Sequence, residues 1–160
     1  MIQPELHIEK VVSTHSFDKY QVSVVKIARG NEDHLKGIAL APLPLGYFEE
    51  SINIDVGLAI GKPIPLDVHH VQNICQYIEN VIAKRLPNEI DIGTNEFYIR
   101  LKLKKFIEKW HGGGGYKGVM GYPNNRFLGL LSRVTISKGT LLEFRKSLIG
   151  LYEIEEVDLQ

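Results

Sequence analysis

LDVHHVQNICQYIENVIAKRL, residues 66–86, is the stretch whose reading decides the fold. Val68, Val71, Cys75, Ile78 and Ile82 recur at helical spacing, and Ile74, Val81 and Leu86 widen the stripe, so the segment reads as a helix with one buried face. Asp67 is placed to cap its start, Lys84 and Arg85 suit the negative end of its dipole, and Pro87 and Asn88 stop it.

On either side of this helix the hydrophobic period drops to two. In SINIDVGLAI (51–60), Ile52, Ile54, Val56, Leu58 and Ile60 alternate with Asn53, Asp55, Gly57 and Ala59, the pattern of a half-buried strand. In EFYIRLKLKKF (96–106), Phe97, Ile99, Leu101 and Leu103 alternate with Tyr98, Arg100, Lys102 and Lys104, which sets three cations on one face. RFLGLLSRVTIS (126–137) carries Leu128, Leu130, Val134 and Ile136 in the same way. Weaker strand signals occupy residues 5–12, 19–28 and 35–41. A second helix is expected from the capping box Thr140-x-x-Glu143 to a stop at Gly150, with Leu141, Leu142, Phe144, Leu148 and Ile149 apolar. Periodicity leaves LYEIEEV (151–157) open between strand and helix.

Strands, a long helix, more strands and a late helix do not make the βαβα alternation of a doubly wound fold. The expectation is a single α+β domain over residues 1–160, a mainly antiparallel twisted sheet of about five or six strands with two principal helices packed on it. Its expected core comprises Ile52, Ile54, Val56, Leu58, Val71, Cys75, Ile78, Ile82, Leu101, Leu103, Leu130, Val134, Phe144 and Leu148. No internal repeat is visible in the sequence.

Composition is that of a globular chain, with 44% hydrophobic and 24% charged residues. The lone Cys75 excludes an internal disulfide. MIQPELHIEK does not read as a signal peptide, and no apolar run reaches the ~18 residues of a membrane span, so the expected location is the cytoplasm, away from membranes. Net charge is zero but unevenly placed. Residues 1–99 hold 8 Lys/Arg and 13 Asp/Glu, and residues 100–160 hold 11 and 6. Such asymmetry marks either a charged partner or two halves that attract each other.

HGGGGYKG (111–118) resembles the HGGG oxyanion segment of the hormone-sensitive-lipase type of esterase over four residues. That resemblance implies a G-x-S-x-G nucleophile elbow, which this chain lacks. A phosphate-binding P-loop needs Lys then Ser or Thr, whereas Gly118 is followed by Val119. The stretch 111–125 therefore reads as a long contact loop offering Tyr116, Lys117 and Tyr122, with Arg126 at its end. His69 and His70 point about 100° apart on the helix, a poor geometry for a shared metal, and no metal or other cofactor is expected.

These residues suggest three functions. The first is a small protein-binding module, in its finer form an immunity-type inhibitor that neutralises a basic bacterial toxin through Glu49, Glu50, Asp55, Glu89 and Asp91, with Tyr47 and Phe48 as apolar anchors. The second is a small phosphodiesterase or nuclease using His111 with Lys117, Tyr122 and Arg126. The third is a nucleic-acid-binding module on the basic strand 98–104, using Arg100, Lys102 and Lys104. No catalytic signature favours the enzyme.

Overall fold

A computed structural model of the protein describes residues 6–18, 20–30, 33–42, 63–83, 89–93, 98–110, 113–121 and 132–155. β1 (Leu6–Phe17), β2 (Tyr20–Arg29), β3 (Asp33–Pro42) and β4 (Pro63–Pro65) pair antiparallel in that order and are followed by helix α1 (Val68–Ile82). β5 (Ile90–Gly93), β6 (Tyr98–Trp110), β7 (Gly113–Gly121) and β8 (Ser132–Ser137) form a second antiparallel sheet in chain order, followed by helix α2 (Lys138–Tyr152). The α+β class is as expected. The single sheet of five or six strands is corrected to two sheets of four, because hairpin pairing, which periodicity does not encode, divides the strands between two meanders. The described elements thus repeat one plan, a four-stranded meander and then a 15-residue helix.

Helix α1 starts where its cap requires. Asp67 is extended (φ −84°, ψ 173°) and its carboxylate accepts the His70 N–H at 2.9 Å. Val71, Ile74, Cys75, Tyr77, Ile78 and Val81 are buried, while Val68 stays 40% exposed and Ile82 is half-buried. α2 begins two residues before the expected capping box. Ser137, still extended at the end of β8, is the first side chain able to accept, and it takes the Thr140 N–H at 3.1 Å. Gly150 does not end this helix. The chain turns at Glu153, left-handed at φ 54°, and the Glu153 and Ile154 N–H groups both reach back to the Ile149 carbonyl while Ile154 packs on the core. Of the open segment 151–157, residues 151–152 are helical, 153–155 are neither helix nor strand, and 156–157 lie outside the described residues.

Side chains from both sheets and both helices share one hydrophobic cluster, including Phe17, Val24, Ile38, Ile64, Ile78, Leu101, Leu103, Val134, Phe144 and Leu148. Val71, Cys75, Ile78, Leu101, Leu103, Val134, Phe144 and Leu148 of the expected core are buried, and Ile52, Ile54, Val56, Leu58 and Leu130 lie outside the described residues. The strand expected at 51–60 lies outside them too. Three contacts tie the two sheets and helices together. Phe144 meets Phe17 edge-on with centroids 5.3 Å apart. The buried Arg145 of α2 donates from Nη2 to Glu79 of α1 at 3.0 Å. Asp18, left-handed at φ 59° in the β1–β2 hairpin, accepts the Thr135 N–H of β8 at 3.0 Å.

Two glycines make the meanders possible. A Cβ at Gly37 in β3 would collide with the Ile64 carbonyl of β4, and one at Gly118 in β7 with the Lys102 carbonyl of β6.

Candidate functional site

The glycine-rich stretch is not the long loop expected at 111–125. Gly113–Gly121 is strand β7, hydrogen-bonded to β6 on one side and β8 on the other, because the glycines continue the ladder that starts at Arg100–Gly121. Tyr116 stands opposite Lys105 and Ile136 and is 3% exposed, with its hydroxyl held above the usual phenol range by burial. It serves the core rather than a contact loop. Lys117 is exposed on the same strand. His111, Tyr122 and Arg126 of the expected enzyme set lie outside the described residues, as do Tyr47, Phe48, Glu49, Glu50 and Asp55 of the expected binding set.

Glu89 and Asp91 are exposed and gather around one cation. The register sets Asp91 opposite Arg100, whose Nε lies 3.0 Å from the Asp91 carboxylate and 3.6 Å from that of Glu89. This part of the charge asymmetry is settled inside the fold. Lys102 is exposed on the same strand, and the register places Lys104 opposite Lys117.

A cluster that sequence reasoning passed over lies where α2 crosses β1. Ser13 and His15, two apart on a strand, face the same way, with Ser13 Oγ 2.8 Å from His15 Nε2 and also bonded to Ser147 Oγ of α2. His15 is 7% exposed and edge-on to Phe144 at 5.5 Å. Burial pushes its pKa down, against the pull of Glu143. A serine bonded to a neutral histidine is the nucleophile–base half of an acyl-transfer site. Here the hydroxyl is shared with Ser147 under a packed helix, and among the described residues no carboxylate is hydrogen-bonded to the ring. The arrangement satisfies polar groups at a helix–sheet contact.

Cys75 is buried among the apolar side chains of α1, and burial pushes its thiol up to about 11, which disfavours the thiolate. Tyr77 is also buried; its hydroxyl accepts the Leu103 N–H at 2.7 Å, and burial raises it to about 12. Among the described residues no three His, Cys, Asp or Glu side chains are grouped to hold a metal ion, and no helix is long and apolar enough to cross a membrane.

The first strand is what stands out. Among the described residues β1 is an edge of its sheet, and its first half exposes Ile8 (37%), Val11 (50%) and Val12 (40%). Register shifts around Glu9 and Val12 change the expected alternation, so Ile8 and Val11 pair with Ile27 and Val25 on one face while His7 and Lys10 pair with Ala28 and Lys26 on the other. Residues 5–12 read in the sequence only as a weaker strand signal, which does not show the three-residue spacing that the bulges create. No protein-family model matches the chain, and no curated protein matches it.

Proposed function

We propose that the protein is a protein-binding module that receives its partner on the first half of β1. One observation carries the reading: an edge strand that exposes Ile8, Val11 and Val12 together. Exposed apolar side chains on an edge strand are an aggregation hazard that folded chains avoid, and a partner strand or surface removes it. Lysine substitution of Ile8 and Val11 tests this. A partner identified by affinity purification with the wild-type protein should be lost from the double variant, whose circular dichroism and melting curve stay native-like. Retention of that partner sinks the reading.

An immunity-type inhibitor of a toxin is the finer form of this proposal. Its basic-target version draws less support, because Glu89 and Asp91 already lie against Arg100. A second reading, a nucleic-acid interface on β6 and β7, is favoured by the exposure of Lys102 and Lys117 and the placement of Lys104 opposite Lys117. Glutamate at Lys102 and Lys117 should then flatten a salt-dependent affinity for single-stranded RNA. An affinity that neither salt nor these substitutions change removes this second reading.

A further inference from the structure

Three consecutive strands of the first sheet set like charges opposite one another. Lys10 of β1 pairs with Lys26 of β2, and Lys26 pairs with Lys36 of β3. The next row on the same face is His7, Ala28, His34. All three lysines and both histidines are exposed. Strands stand about 4.8 Å apart, so the lysine row spans about 10 Å. Directly opposed like charges weaken a sheet, and a row of three holds a cost that an anion would relieve.

Among the described residues no carboxylate is paired with the row. The Glu9 carboxylate shares this face one row away, 3.1 Å from His34 Nδ1. Lys36 donates to the Leu151 carbonyl at 2.9 Å and sits 5.6 Å from the Tyr152 ring centre. Lys10 and Lys26 have no ion pair among the described residues. The opposite face of the same strands is apolar, with Ile8 beside Ile27 and Val11 beside Val25.

We propose that this end of the first sheet docks an extended acidic segment of a partner protein along the β1 edge. Its carboxylates lie beside Lys10 at the edge end of the Lys10–Lys26–Lys36 row, with Lys26 one strand further in, and its intervening apolar side chains lie beside Ile8 and Val11. The inference rests on the protein-binding reading and specifies the partner's chemistry. Charge complementarity selects carboxylates, and the alternation of a strand's side chains matches lysines on one face with apolar groups on the other. The two bulges guard the edge against a second copy of the same long strand and suit a short guest. A nucleic acid suits the row less well, because among the described residues no exposed Phe, Tyr or Trp ring stands beside it to stack a base.

The probes are a short fluorescent peptide alternating glutamate with valine, the same composition with its glutamates clustered at one end, and a thymidine oligonucleotide of similar length. Anisotropy should show binding of the alternating peptide, weakened about tenfold or more by Lys10→Glu with Lys26→Glu and unchanged by Lys146→Glu on α2. Lys26→Glu alone places a carboxylate between two lysines, so its melting temperature should equal or exceed that of the wild type, which separates lost binding from lost fold. The inference is overturned by equal affinity for the clustered peptide, by tighter binding of the oligonucleotide, by unaltered affinity in the lysine double variant, or by no binding of the alternating peptide at millimolar concentration. The broader reading of β1 fails separately, when the Ile8 and Val11 lysine variant keeps its captured partner.

Discussion

In the first sheet Lys10, Lys26 and Lys36 confront one another across three strands; in the second, Asp91 confronts Arg100 across two, with Glu89 close by. The backbone plan is shared, a four-stranded meander with a glycine in its third strand and a helix after its fourth. The difference lies in what each sheet does with charge. Around Arg100 the fold supplies its own counter-ions, although Lys104 stands opposite Lys117 further along. Around Lys26 no ion pair forms among the described residues, and the same strands leave apolar side chains exposed. Net charge per half predicts the reverse, because it counts side chains without their register.

The shared plan is the part whose failure has the largest effect. Gly37→Val and Gly118→Val each drive a side chain into the neighbouring strand's main chain, and each should cost about 4 kcal/mol or more or prevent folding. Mild loss in one half alone, read by urea denaturation, would break the equivalence of the two meanders. Phe144→Ala empties the contact with Phe17 that joins α2 to the first sheet and should cost about 3–5 kcal/mol. Glu79→Ala removes the carboxylate 3.0 Å from the 4%-exposed Arg145 guanidinium, for a loss of up to about 3 kcal/mol.

Stability should also depend on pH through His15. Burial holds this group below its ordinary value of 6.5 in the folded state, so the unfolded chain takes the proton first. The contribution is full above about pH 6.5 and is lost as the pH falls through the unfolded value towards the folded one. A lower urea midpoint at about pH 5.5 than at about pH 7.5, narrowed in His15→Leu, is the expected result. The smallest effects test the charge contrast itself. Lys26→Glu should stabilise by about 0.5 kcal/mol, whereas Asp91→Lys, which places like charges opposite each other, should destabilise by a similar amount. Equal signs for the two substitutions would remove the contrast.

Much of the fold was legible in local periodicity. The stripe from Val71 to Ile78 and the cap at Asp67 located α1, and the alternation around Leu101 and Leu103 located β6. What escaped depends on partners distant in sequence. Gly113–Gly115 have no side-chain pattern that marks a strand, yet β6 and β8 hold the segment between them. The bulges at Glu9 and Val12 turn a period of two into a spacing of three, which a scan for alternation does not recognise. The lysine row was invisible for the same reason. Lys10, Lys26 and Lys36 lie in a stretch that is net acidic, and only hairpin register brings them together.

The most direct test of the account is a titration of isotope-labelled protein with the alternating glutamate–valine peptide, followed by amide chemical shifts. Saturable shifts should concentrate on Ile8, Lys10, Val11 and Lys26, with the amides of β6 and β7 left in place. Shifts centred on Lys102 and Lys117, or none anywhere, would contradict the claim that the first sheet carries the docking face.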